Sequence, residues 1–194
     1  MIKTNSSVFL TALCITVYWL TVIIKSALIT KKIGKTPNII PKEIQGFLSR
    51  LIMAPLIVLW VVLPWQTVFA PPPRFTVMSW LGAFLCVIAL IGSFYCWYYM
   101  GNAWRIGIDP KEKNLLLMDG PFKTIRHPIY ALSMLLMLGS FLSIQIQAMA
   151  TLLVIHWLLF RYEAYREEQY LSRVHGHAYK KYMQQTNRFL PILR

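Results

Sequence analysis

Five apolar stretches separated by short polar connections limit what this chain can fold into more than any other feature: residues 8–29, 47–69, 76–100, 129–144 and 148–160. The hydrocarbon core of a bilayer is about 30 Å thick and about 20 helical residues cross it, so each of the first three stretches is long enough alone. The last two are shorter and are joined only by the uncharged Gln145-Ile146-Gln147 link, which reads as a helical hairpin. Inside a bilayer each segment must satisfy its own backbone polar groups, which a helix does and an open strand does not. The expected fold is an all-α integral membrane protein with five transmembrane helices, a single domain over residues 1–194 without an internal repeat. Only 14% of the residues are charged and 57% are hydrophobic. Soluble domains carry about 25% charged residues, so an ordinary soluble class is excluded.

A formal net charge of +13 invites a nucleic-acid reading, but in a membrane chain the first question is where the basic residues fall. Of the 20 lysines and arginines, all but Lys3, Arg74 and the intramembrane Lys25 lie between stretches one and two or, for Arg50, just inside the start of stretch two, between three and four, or in the C-terminal tail. The positive-inside rule then places the N-terminus outside and residues 101–128 and 161–194 in the cytoplasm, and the charge needs no nucleic acid. Lys25 sits near the end of the first stretch, where its stem can snorkel to the interface. The N-terminal stretch lacks a small-residue cleavage site and reads as a lasting span. Pro55 and Pro64 each remove a backbone donor from the second stretch; they either bend it toward a cavity or only shape its packing. The aromatics that close the third stretch, Phe94 to Tyr99, suit an interfacial belt. Cys14, Cys86 and Cys96 lie in apolar segments without C-x-x-C spacing, which indicates neither a disulfide framework nor a metal site.

The chemistry is expected in the connection between stretches three and four. It holds a leucine run and then Gly120-Pro-Phe-Lys-Thr-Ile-Arg-His-Pro-Ile-Tyr130. Gly120-Pro121 signals a turn. Pro128 forces His127 out of the α region and can itself start a helix, so His127 should stand at a helix N-terminus with Arg126 beside it. On the last helix, His156, Phe160, Glu163 and Glu167 recur at helical spacing on one face that runs from membrane depth outward. Ionisable residues at such depth default to functional hypotheses. The plainer alternatives are a hydrogen-bonded core histidine, and glutamates paired with Arg161 and Arg166 on a solvated surface.

A Gly-x-Phe turn followed by Arg-His-Pro-x-Tyr at the mouth of an apolar helix, then Glu167-Glu168, Gly176-x-x-Tyr179-x-x-Tyr182 and Arg188-Phe-Leu-Pro191, resembles the isoprenylcysteine carboxyl methyltransferase family, with a length that suggests a prokaryotic member. The resemblance covers about residues 101–191 and is shared in part with phospholipid N-methyltransferases and membrane sterol reductases. It implies S-adenosylmethionine as cofactor and S-adenosylhomocysteine as product. The implied catalytic set is Arg126, His127, Glu163 and Glu167. The implied cofactor pocket adds Lys113, Asn114, Leu115, Leu116, Leu117, Phe122, Pro128, Ile129, Tyr130 and His156. No Gly-x-Gly-x-x-Gly follows a strand pattern, so a Rossmann-type pocket is not expected.

The implied reaction is methyl transfer to the C-terminal carboxylate of an isoprenylated cysteine, or a similar lipophilic thioether acid, entering from the bilayer. An arginine that holds the acceptor carboxylate in the eukaryotic enzymes falls where this chain has Glu163; Arg126, Arg161 and Arg166 are the candidates to replace it. Competing expectations keep the fold with phospholipid N-methylation or a nicotinamide-dependent reduction. A third is a membrane binding protein that is not an enzyme.

Overall fold

The computed structural model describes residues 5–34, 36–38, 41, 43–107 and 116–191. Five helices follow one another: α1 (Ser6–Ile33), α2 (Ile44–Thr67), α3 (Thr76–Met100), α4 (Pro128–Ile144) and α5 (Gln147–Gln185). Two single 3-10 turns, Gly101–Ala103 and Gly120–Lys123, lie in the α3–α4 connection. Three helices are long and apolar enough to cross a membrane: α1, α2, and α3 with the turn that follows it. α4 is apolar but has 17 residues, and the apolar part of α5 ends at Arg161. The outer faces of α1, α2 and α3 leave Ile23, Leu28, Val58, Phe84 and Ile91 exposed, as expected of surfaces solvated by lipid rather than water.

Without a hydrophobic drive between helices in lipid, small residues and interhelical hydrogen bonds bring the bundle together. Gly82 of α3 and Gly139 of α4 meet backbone to backbone. A Cβ on Gly82 would stand 2.4 Å from the Gly139 carbonyl oxygen, and one on Gly139 2.6 Å from that of Gly82. Around this contact runs a chain of buried hydroxyls. Ser7 and Ser79 share a 2.6 Å hydrogen bond, Ser79 donates to the Ser143 carbonyl, and Thr11 donates to the Ser143 hydroxyl. Trp60 of α2 closes the set by donating to Ser140 Oγ at 3.0 Å. These bonds tie α1, α2 and α3 to α4. Gly82→Val should therefore lower the unfolding temperature in detergent, at a cost of about 1–3 kcal/mol. An unchanged melting curve would mean that the two helices can slide apart without penalty.

α5 joins the apolar run 148–160 and the polar run 161–174 in one helix, as the sequence suggests, and is interrupted only at Gly176 (φ 54, ψ −123). That conformation is open to glycine and strained for any other residue. The interruption lets the following turns pack inward, so Tyr179 and Tyr182 are buried and the Tyr182 hydroxyl donates to the Phe122 carbonyl oxygen at 2.5 Å. Beyond α5 the backbone pairs with the α3–α4 connection. Ile125 and Asn187 form an isolated parallel bridge, Arg126 N–H donates to Asn187 O, and His127 N–H donates to Arg188 O. The tail thus builds one wall of the region that holds the Arg-His-Pro turn.

Candidate active site

The Arg-His-Pro turn is set by its backbone. His127 is the N-cap of α4, outside the helical region (φ −124, ψ 64), Pro128 occupies the first helical position, and the His127 carbonyl accepts the first intrahelical bond from Ala131 N–H at 3.0 Å. Upstream, Gly120 takes a positive φ of 58 with its Cα packed on Tyr99; a Cβ there would lie 2.4 Å from the ring. Arg126 and His127 therefore leave a turn fixed at both ends, as the sequence implied.

Their side chains converge on the Glu167-Glu168 pair of α5, and the two glutamates part ways. Glu168 is almost fully buried and does not line the cavity. Its carboxylate accepts from Arg126 Nε at 2.9 Å and Arg188 Nε at 3.1 Å, and His127 Nε2 stands 3.4 Å away. Burial alone would push this carboxyl up, but His127, Arg188 and Arg126 around its oxygens outweigh burial and hold it well below the usual carboxylate range. Arg126 also donates through NH1 to the carbonyl oxygens of Met183 and Thr186, so its Nε and NH1 are both engaged. Glu168 is the fastener that joins the turn, α5 and the tail. Nearby, burial pushes the Tyr182 hydroxyl up to about 12, so it stays protonated and donating.

Glu167 faces the other way. Its side chain is 31% exposed, accepts from the Tyr130 hydroxyl at 3.1 Å, and lies 3.6 Å from His127 Nδ1. His127 stacks on Tyr130 with an interplanar angle of 4°, Tyr130 stacks on Phe160, and Phe160 meets His156 edge-on. An aromatic column thus runs from the turn into the bundle. Glu163, one turn above Glu167, is 3% exposed and is bound by Arg166, which donates to both its oxygens and to Glu43 Oε2 at 2.7 Å. The stripe of sequence-marked residues is turned inward and is not a solvated surface.

These residues line one end of a cavity of about 1020 Å³, a volume at the top of the usual range for small-molecule sites. Arg126, His127, Pro128, Ile129, Tyr130, Phe122, Glu163 and Glu167 are all on its wall. The other end is apolar and is built by Tyr18, Trp19, Val22 and Ile23 of α1, Met53, Ala54 and Ile57 of α2, and Trp97 and Met100 of α3. Ile23 and Ala54 are lining residues that are also exposed on the outer surface, so the cavity opens between α1 and α2.

Several sequence expectations land elsewhere. His156 is 3% exposed, 3.2 Å from Ser133 Oγ, packed on Trp60 and Phe160, and absent from the cavity wall. Its place is that of the hydrogen-bonded core histidine. Leu116 and Leu117 are half-buried and do not line the cavity, while Lys113, Asn114 and Leu115 lie outside the described residues. Of the arginines considered as replacements at the acceptor carboxylate, Arg126 is held by Glu168 and Arg166 by Glu43 and Glu163, and Arg161 is exposed over the Trp157 ring. Sequence reasoning missed the α1 and α2 walls, and with them Arg50, counted only as a cytoplasmic positive charge. The signal for Arg50 was available, because a cation set four residues before an apolar face at Ala54 is an ionisable group at the edge of a span.

Compared with known proteins, residues 77–178, just over half of the chain, match a family model described as phospholipid methyltransferase. The matched stretch runs from the start of α3 through α4 and along α5 past Gly176, and so contains the Arg-His-Pro turn, Glu163, Glu167 and Glu168. No curated protein matches the chain.

Proposed function

Because the chain belongs to the phospholipid methyltransferase family, a membrane methyltransferase family in the same superfamily as the isoprenylcysteine carboxyl methyltransferases, we propose that it transfers a methyl group from S-adenosylmethionine to the polar head of a lipid-like acceptor that enters from the bilayer. The observation that carries this reading is the two-ended cavity, charged on the side of the Arg-His-Pro turn and apolar where it opens between α1 and α2. The residues at the charged end fit the cofactor by chemical type. Glu167 offers an exposed carboxylate for an ammonium. The N-terminus of α4 beside His127 offers backbone N–H groups for a carboxylate. The rim of the Tyr130–Phe160 stack, which lines the cavity, offers apolar edge contacts for adenine. When bound, S-adenosylmethionine supplies an electrophilic methyl group on a sulfonium.

The chain's own work is then to orient and to exclude water. A cysteine α-carboxylate has a pKa of about 3.5, so it is ionised at neutral pH and needs no general base. Alignment and desolvation at the bilayer boundary suffice. Among acceptors, we favour the carboxylate of an isoprenylated cysteine or a similar thioether acid, on the motif blocks of residues 120–130, 167–168, 176–182 and 188–191. The family match favours a second reading, the amine of a phospholipid.

In the membrane, α4 and the apolar part of α5 complete a five-span arrangement with an outside N-terminus and cytoplasmic catalytic segments. Labelling of single cysteines at Ser6 and Leu190, both exposed, from each side checks it; both reacting from one side would remove a span.

Methyl transfer from labelled S-adenosylmethionine to N-acetylcysteine thioethers carrying one to four isoprene units, run beside phosphatidylethanolamine, tests acceptor and entry route together. Each isoprene unit takes about five more carbons out of water, so turnover should climb steeply with tail length while cofactor affinity stays nearly constant. A flat series would rule out lateral entry, and transfer to phosphatidylethanolamine alone would select the amine reading.

A further inference from the structure

The charged end of the cavity holds a guanidinium that none of the roles above uses. Arg50 lies in the first third of α2, on the cavity wall. Its Nε is buried with no hydrogen-bond partner, and NH1 reaches only the Met53 thioether at 3.7 Å. Among the described residues it forms no ion pair, whereas Arg126, Arg166 and Arg188 are each held by carboxylates. Arg50 also sits against the backbone at Gly107: a Cβ there would lie 2.8 Å from its NH2 and 4.0 Å from Glu163 Oε2. A partly buried guanidinium without an anion is costly, and a site that keeps one is built for an anion to arrive.

The neighbourhood says what kind of anion. Arg50, Met53, Ala54 and Ile57 recur at i, i+3, i+4 and i+7 and all line the cavity, so one face of α2 is an apolar stripe about 10 Å long that ends in a fixed cation. Pro55 lies among these positions, on the lipid side. That outline is the complement of an amphiphile with an anionic head. We infer that Arg50 binds the head group of the acceptor, a carboxylate or a phosphate, while the acceptor's tail follows Met53, Ala54 and Ile57 toward the opening between α1 and α2. The word acceptor rests on the methyltransferase reading; the anion site itself does not.

Trp19, Trp97 and Trp104 stand on the cavity wall, so quenching of tryptophan fluorescence can report occupancy without turnover. The full-length protein, Arg50→Met and Arg50→Lys are titrated with N-acetyl-S-farnesylcysteine, with its uncharged carboxamide, and with dioleoylphosphatidylethanolamine in mixed micelles. S-adenosylhomocysteine binding is measured in parallel by calorimetry. Arg50→Met should weaken binding of the anionic ligand by about 10- to 100-fold, with Arg50→Lys in between. The carboxamide and S-adenosylhomocysteine should bind as before. A loss confined to the thioether acid or to the phospholipid identifies which head group the guanidinium takes. Equal losses for acid and carboxamide would reduce Arg50 to packing, and weakened S-adenosylhomocysteine with an unchanged acid would move it to the cofactor; either result, or no change at all, overturns the inference. If the unsubstituted protein ignores S-adenosylhomocysteine yet keeps an Arg50-dependent preference for the acid, methyl transfer falls and the anion site stands.

Discussion

Glu168→Gln should give the largest loss of stability of any single side-chain change in the polar half of the chain. The carboxylate sits between Arg126, Arg188 and His127 at hydrogen-bonding or ion-pairing distances, and its neutral replacement leaves two guanidinium groups without their shared counter-charge. Removing one partner of a buried ion pair costs about 3–5 kcal/mol. Thermal unfolding in detergent should show the drop, and limited proteolysis should show earlier cleavage beyond Gly176, where the tail loses its fastening. The pH dependence follows from the same carboxyl. It is held below its ordinary range in the folded protein, so its stabilisation is fully present above the unfolded value of about 4.3 and is lost as pH falls toward the folded one. The unsubstituted protein should lose stability as pH falls below about 4.3, and Glu168→Gln should lack that component of the slope. A variant that melts like the parent at neutral pH would show that the Met183 and Thr186 carbonyls suffice to hold Arg126 and that Arg188 needs no carboxylate.

Glu167→Gln should have the opposite profile, an intact fold and a damaged cofactor site. Glu167 is on the cavity wall, less buried than its neighbour, and among the described residues its carboxylate is engaged only by the Tyr130 hydroxyl and the flank of His127. Loss of a charge-assisted contact to an ammonium is worth about 1.5–3 kcal/mol, so S-adenosylhomocysteine affinity measured by calorimetry should fall at least tenfold with the melting temperature nearly unchanged. Unaltered affinity would leave Tyr130 as the only function of Glu167.

That the two adjacent glutamates face different ways was legible in part, since helical spacing puts Glu167 and not Glu168 on the face of His156, Phe160 and Glu163. Successive helical residues differ by about 100° in direction, so one of the pair had to turn away from whatever face the other served. What Glu168 meets when it turns away depends on where the tail folds back, beyond Gly176 and with Tyr182 against Phe122, and helical spacing does not encode that. What was legible came from local rules. Apolar length gave the helices, Pro128 gave the start of α4, and helical spacing put His156, Phe160, Glu163 and Glu167 on one inward face. The depth of that face divides its members, since Phe160 and the Ser133 hydroxyl take up His156 before the cavity begins. Arg50 was legible only in part, as a cation at the edge of a span. That it faces the cavity depends on α2 standing across from α5, a long-range placement that no periodicity encodes.

The pairing of Arg126 and His127 with Asn187 and Arg188 has a consequence for the order in which the protein is made. Chains emerge from the ribosome N-terminus first, and the hydroxyl contacts that tie α1, α2 and α3 to α4 use residues no later than Ser143. The bundle can therefore settle in the bilayer while the Arg-His-Pro turn still lacks both its backbone partners and the second arginine at Glu168. Until residue 188 has been synthesised and folded back, the apolar end of the cavity can assemble ahead of its charged end, so the newborn chain has an apolar chamber before the Arg-His-Pro turn is fastened.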